Sequence, residues 1–413
     1  MKVFLKFFIL ILLIFNLNAQ NRSIEDAQIV AKNYLSQYIL RKDLKILENN
    51  NINFRKLNSN NNLEYYIINF KEGGWVIVSK NDINTPILAY STKSKLDLNF
   101  LPPQFSWWLK SINKELKNYT DINRTQLIKN RYKWQELSSS NYKRLSKQYR
   151  NTSSKVEPLI NTNWGQGRGF NELTPYDSNS VESNKHVPAG CVATAMAQIM
   201  NYFAWPHRGY GSKSYTPYSH PEYGRLSVNF GATNYNWSSS SNHALITYHA
   251  GVSVGMNYGP YGSASYITDA SSALSNYFKY TNSGVIRKSS VSEQTWHSML
   301  QNSLNRKSPV IYQGKGNIVH VFICDGYRKD SSGYLYHFNW GWRGDANGWF
   351  RIGAISPKSN YTFNLKNLAI FNIWPNDSNY KLTHKSSGSL FILIPILLLI
   401  LPFTAFFKIK NKK

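Results

Sequence analysis

Cysteine is nearly missing from this chain: 413 residues hold two, Cys191 and Cys324. That scarcity excludes a disulfide-framed scaffold and any zinc module built on cysteine pairs. Acidic residues are also few, 22 against 48 lysines and arginines, for a formal charge of +26. Asp330, Asp345 and Asn347 stand in glycine-containing turns without the spacing of a calcium loop, and they read as solvated turns. The nine histidines show neither HExxH nor another paired-ligand spacing, so no metal and no organic cofactor is expected. The basic excess is spread along the chain and forms no run with interleaved aromatics, which argues against nucleic acid as a partner. Attraction to anionic surfaces or acidic substrates stays open.

What is present is a globular composition, 42% hydrophobic and 15% aromatic, on a chain long enough for two compact domains. The most informative stretch runs from Ala189 to Met200. Val192, Ala195, Met196, Ile199 and Phe203 recur at helical spacing, Pro206 stops the run, and Gly190 lets the backbone turn sharply into it. Cys191 then stands at the positive end of a helix dipole, where a thiol pKa can fall from about 8.5 to roughly 3.5–7.5. The alternative is a buried structural cysteine.

Val319 to Gly326 alternates as a strand, with Val319, Val321 and Ile323 on one face and His320, Phe322 and Cys324 on the other. Lys329 to Gly333 reads as a turn and Tyr334 to Trp342 as a second strand, so a hairpin centred near Ser331 returns Asn339-Trp340-Gly341-Trp342 beside His320. Neighbours on a strand face opposite ways, so Asn339 and Trp340 cannot both point at that histidine. A cysteine on a helix, a histidine on a distant strand and a group to orient it follow the logic of a thiol nucleophile. Cys324 lies four residues beyond His320, roughly 13 Å along the strand, too far to pair with a cysteine that touches His320. It reads as a small buried residue, and His337 as a satisfied histidine.

The segments AGCVATAMAQIMNYF, HVFICDGY and YHFNWGWRGDANGWFRI resemble the signature segments of the streptopain family of papain-like cysteine peptidases. The likeness extends through Trp164-Gly165-Gln166-Gly167, Met256 to Pro260 and Pro309 to Gly314, covering most of residues 155–375. Gly74 to Ser79 and Ile87 to Ser91 resemble that family's propeptide. The resemblance implies an α+β, papain-like cysteine peptidase fold, a helical part carrying the cysteine and an antiparallel sheet carrying the histidine, preceded by a small α+β prodomain. It also implies a cysteine endopeptidase made as a zymogen, acting on proteins or peptides and inhibited by its own propeptide, which covers the site or displaces the histidine until removed.

Carried over by residue, Cys191 is the nucleophile and His320 its base. Gln166, with the backbone N–H of Cys191, stabilises the oxyanion, a donor worth about 10²–10³ in rate. Papain-like enzymes in general orient the histidine with an asparagine, which keeps Asn339 a candidate, whereas the streptopain branch uses a tryptophan of the NWGW segment, which favours Trp340. Ser263 matches a substrate-binding serine. Val319 stands where the family usually has glycine, and its side chain could narrow the cleft. Alternatives are a transferase or amidase with the same chemistry, and a catalytically idle surface adhesin.

The expected organisation is a signal peptide over 1–19, an inhibitory propeptide domain with a polar linker over 20–150, a peptidase domain over 151–380, a transmembrane or sorting-signal helix over 390–407 and a basic tail over 408–413. Within the prosegment, helices are expected near Ile24–Ile39 and Gln104–Leu116 and strands near Tyr65–Phe70 and Trp75–Ser79; the polar stretch Ser138–Ser154 is the expected site of the maturation cut. The uncharged run 390–407 would span roughly 27 Å as a helix, near the lower limit for a bilayer. Its basic tail would stay cytoplasmic and leave the catalytic domain outside, whether the helix is a permanent anchor or a cleaved signal. The protein is expected to be exported, and extracellular, surface-bound or periplasmic.

Overall fold

Runs of β-branched and aromatic residues build one sheet that organises the molecule. The computed structural model describes residues 20–38, 63–71, 73–94, 96–99, 101–117, 124–139, 154–239, 242–315, 319–330, 332–352 and 367–382. The expected signal peptide, the C-terminal helix with its basic tail and most of the polar linker lie outside them.

Helix α1 (Ile24–Leu35) starts at a capping box, in which Ser23 and Asp26 each accept the other's backbone N–H. It ends four residues before the expected Ile39, with Ser36 as its C-cap. Its apolar side, Ala27, Val30, Ala31, Tyr34 and Leu35, packs on one face of the meander β1 (Tyr65–Asn69), β2 (Trp75–Ser79) and β3 (Ile87–Ser91). Helix α2 (Pro103–Lys117) covers the other face with Phe105, Trp108, Leu109, Ile112 and Leu116. Helix α3 (Arg124–Ser138) is largely polar and is held through Leu127, Trp134 and Leu137.

After the short β4 (Lys155–Val156), helix α4 (Cys191–Phe203) is buried along nearly its whole length, with α5 (Asn242–Ser253) and α6 (Ile267–Asn276) beside it. A small hairpin, β5 (Ser212–Tyr215) with β6 (Leu226–Asn229), and the strand β7 (Tyr280–Thr281) border this helical part. The second half supplies β8 (Val285–Arg287), α7 (Glu293–Asn305), β9 (Val310–Lys315), β10 (Val319–Asp330), β11 (Gly333–Asn339), β12 (Gly348–Phe350), β13 (Leu368–Ile370) and β14 (Trp374–Pro375).

The large sheet runs β1-β2-β3-β12-β11-β10-β9-β13-β8, with β4 also paired to β10. The N-terminal strands are thus not a separate small sheet: β3 pairs antiparallel with β12, Trp349 opposite Tyr90 and Phe350 opposite Ala89. Every residue of β3 is buried, which an edge strand on a small domain could not achieve. The β10–β11 hairpin forms where expected, with Ile323 opposite Asn339 and a bulge between Cys324 and Gly326. Strand β10 is buried on both faces, and Phe322 and Cys324 enter a core shared by prosegment and peptidase residues. Both cysteines are free thiols.

Two of the presumed solvated turns are structural. Asp330 accepts from Arg351 Nη2 at 2.6 Å, and Asn347 is buried and accepts from the Trp340 backbone N–H at 3.0 Å. Polar side chains in glycine turns look solvated until tertiary partners are known; Asp345 alone of the three is exposed. Among the described residues no helix is long and apolar enough to cross a membrane.

Candidate active site

The site begins at Gly190. Its φ of +89° favours glycine, and a Cβ there would lie 2.7 Å from Met256 Sδ and 3.2 Å from the Ser263 carbonyl oxygen. This turn delivers Cys191 to the first position of α4. Just upstream, the Ala189 N–H donates to the Gln166 carbonyl at 2.8 Å, and the Ser263 hydroxyl donates to the Pro188 carbonyl. Gln166, Cys191 and Ser263 are all half-buried around this turn. The structure therefore brings these three together, although they are far apart in sequence.

The sheet supplies the other wall. Cys191 Sγ accepts the Val321 backbone N–H at 3.4 Å, which sets the sulfur against the strand residue following His320. His320 is buried, 5% exposed, while Val319 before it is 43% exposed at the strand's start. The ring nitrogen Nε2 of His320 lies 2.8 Å from the Trp340 carbonyl oxygen; since a carbonyl only accepts, Nε2 carries the proton. The ring stacks on Phe322 at 6.0 Å and meets the edge of Trp342 at 6.4 Å.

Asn339 and Trp340 therefore divide differently from either expectation. The Asn339 amide donates to the Thr162 carbonyl at 2.8 Å and to Gln198 Oε1 at 3.2 Å, and its carbonyl oxygen accepts the Gly341 N–H at 3.1 Å. The Trp340 indole donates to the Ala346 carbonyl at 3.0 Å and packs on Phe322, Phe350 and Phe105. What reaches His320 from this segment is the Trp340 backbone carbonyl and the edge of the Trp342 ring, not the side chain of Asn339 or the indole N–H of Trp340. Side-chain alternation along a strand says nothing about such a contact.

Two further residues hold the arrangement. Gln198 is fully buried on α4; its Oε1 accepts from Thr162 Oγ1 at 2.8 Å and from Asn339, tying the cysteine helix to the end of β11. Asn347 fixes Trp340, and its carbonyl accepts the prosegment hydroxyl of Ser94 at 2.6 Å. A glutamine within a mostly apolar helix was the available signal for the first. Nothing local marks the second. His337 Nδ1 pairs with the buried Asp325 at 2.6 Å, as a satisfied histidine does. Among the described residues no three His, Cys, Asp or Glu side chains cluster as metal ligands.

The electrostatics differ from the helix-terminus expectation. Burial pushes the Cys191 thiol up, outweighing the backbone N–H groups of Val321, Val192 and Cys191 that pull it down. Burial likewise pushes His320 down to about 4, against the pull of the Trp340 carbonyl. Both shifts favour the neutral forms, a thiol and an uncharged imidazole. Burial thus opposes the pull of the helix dipole on this sulfur.

A helix-borne cysteine set against a sheet-borne histidine, with an N-terminal unit sharing the sheet, defines a papain-like cysteine peptidase that retains its prosegment. The chain belongs to the streptopain family. Residues 164–350 match the Peptidase C10 family and residues 19–116 match the Spi protease inhibitor family. Streptopain of Streptococcus pyogenes is 30% identical over 331 residues, 71% of this chain and 75% of streptopain. The thiol protease/hemagglutinin PrtT of Porphyromonas gingivalis is 29% identical over 319 residues, and the match spans only 34% of its length. The solved structure of a Prevotella intermedia prointerpain A fragment superposes with a TM-score of 0.58 at 24% identity, covering 79% of this chain and 97% of that one, a likeness of fold.

Proposed function

We propose that the protein is an exported endopeptidase held latent by residues 20–150 and activated by their removal, with Cys191 and His320 as its reacting pair. The observation that carries this reading is the Cys191 sulfur at the start of α4, hydrogen-bonded to the strand residue next to His320. In the covered form the neutral thiol and imidazole are inert. Uncovering and rehydrating the cleft lets His320 take the thiol proton, leaving a thiolate and an imidazolium.

The thiolate then adds to a peptide carbonyl, and Gln166 with the Cys191 N–H receives the developing oxyanion. His320 returns its proton to the leaving amine, the carbon–nitrogen bond breaks, and water later hydrolyses the thioester with the same histidine as base. The Trp340 carbonyl keeps the imidazole in the tautomer this requires, Nε2 protonated and Nδ1 open. Ser263 and the exposed Val319 border the substrate cleft, Val319 narrowing it. Residues 1–19 serve as the export signal; residues 390–407 and 408–413 serve as a membrane anchor or a cleaved sorting signal, with the peptidase outside the cytoplasm.

Intact mass over time on residues 20–388, wild type and Cys191→Ala, followed by casein digestion, tests this. Wild type should lose about 130 N-terminal residues and digest casein while the variant does neither. If both stay whole and inert even after the prosegment is trimmed by an added protease, the catalytic reading is wrong and a binding protein on this fold takes its place.

A further inference from the structure

The prosegment pairs with one edge of the peptidase sheet. Its strand β3 completes the sheet at β12, and the ladder continues as the Arg351 N–H donates to the Leu88 carbonyl at 3.3 Å. Three prosegment tyrosines converge beside this edge. Tyr90 stacks on Trp349 and accepts a hydrogen bond from Arg328 Nη1; the Arg328 guanidinium lies 4.5 Å from the centre of the Tyr38 ring; and Tyr34 donates to Asp330 at 3.4 Å. Arg351 Nε donates to the Ile87 carbonyl at 2.8 Å.

The peptidase part fixes these receptors by contacts of its own, which survive loss of the prosegment. Arg328 lies 3.8 Å from the centre of the Trp349 ring and donates to Glu157 at 2.7 Å, while Arg351 is held by Asp330. Even in the covered form, Arg328 Nε and Arg351 Nη1 are buried with no hydrogen-bond partner. Uncovering therefore leaves an open strand edge, an indole and two pre-positioned guanidinium groups with unspent donors. Together they suit backbone carbonyls and phenol rings.

We propose that this edge, β12 with Arg328, Trp349 and Arg351, is an exosite that binds an extended, tyrosine-bearing segment of the protein substrate. The inference rests on the reading that the prosegment is removed. A second copy of the chain is the poorer occupant, because pairing two β12 edges sets arginines against arginines. Eight residues along β10 separate His320 from Arg328, roughly 26 Å at about 3.3 Å per residue, so only a long unfolded chain reaches both exosite and cleft. Simultaneous engagement lowers KM for such chains and leaves short peptides unaffected.

The test uses processed protein prepared from the full chain and a labelled peptide of residues 85–93. Fluorescence anisotropy on the alkylated, processed protein should show saturable binding that the unprocessed chain lacks, weakened about fivefold or more by Arg328→Gln or by Tyr90→Ala in the peptide. On active enzyme, excess peptide should slow casein digestion about fivefold while a short fluorogenic peptide is hydrolysed as before. No saturable binding overturns the proposal, as does equal slowing of both substrates, which places the peptide in the cleft. Self-association dissolved by the peptide overturns it in favour of a second copy. Processed protein that binds the peptide but cleaves neither substrate keeps the docking surface and removes the peptidase reading instead.

Discussion

Replacing Phe105 by alanine removes one of the rings that join prosegment to peptidase. Phe105 is fully buried, with ring centroids 5.6 Å from Trp75 and 5.9 Å from Trp108 on the prosegment side, and 5.3 Å from Phe350 and 6.2 Å from Trp340 on the other. Truncating a buried phenylalanine to alanine costs about 3–5 kcal/mol. Two of its four aromatic neighbours belong to each side, so about half of that loss, roughly 2 kcal/mol, falls on docking. At about 1.4 kcal/mol per factor of ten, the uncovered population rises about 30-fold. Intact-mass time courses on the two proteins should show Phe105→Ala converting about 10–100 times faster, with a lowered Tm. A lowered Tm with an unchanged conversion rate would refute the reasoning, because Phe105 would then stabilise its own unit without holding the cover.

Trp340→Phe removes the indole donor but keeps the backbone carbonyl that meets His320; kcat/KM of the processed enzyme should fall less than about tenfold, whereas an orienting role for the indole requires a much larger loss. His320 is held neutral by burial with its pKa pushed down to about 4, below the ordinary value near 6.5. The folded state thus disfavours the proton, so this contribution, at most about 3 kcal/mol, is present above pH 6.5 and is lost as pH falls through about 4. Scanning calorimetry of the unprocessed chain should show that loss, with a shallower acid slope in His320→Gln; His249, also pushed down to about 4, accounts for part of what remains. Gly190→Ala forces a side chain into φ +89° and against Met256, costing about 1–3 kcal/mol in backbone strain alone; Tm should fall and peptide hydrolysis drop more than tenfold.

The elements that carry Cys191 and His320 were readable because their signals are local: Gly190 opening an apolar-periodic run that begins with Cys191, and an alternating strand that carries His320. The β10–β11 hairpin was readable from its turn residues. What escaped is set by distant partners. Ile87 to Ser91 carries no sign that its second edge pairs with β12, some 260 residues on. Helix α3 escaped because its sequence is nearly polar and only Leu127, Trp134 and Leu137 among its apolar residues are buried. The thiol's raised pKa escaped for the same reason, since the burial that opposes the helix dipole is a property of the folded chain.

The most direct measurement of the proposed latency, in which Cys191 becomes a reactive thiolate only after processing, is its iodoacetamide alkylation rate at pH 7 before and after processing, read by peptide mapping. An ordinary thiol with a pKa of about 8.5 is about 3% ionised at that pH, and a raised one less, so activation should speed labelling at least about tenfold even with some loss of intrinsic nucleophilicity. Cys324, buried in the shared core, should stay unlabelled throughout. Equal Cys191 rates before and after processing, or labelling of Cys324 instead, would contradict the account.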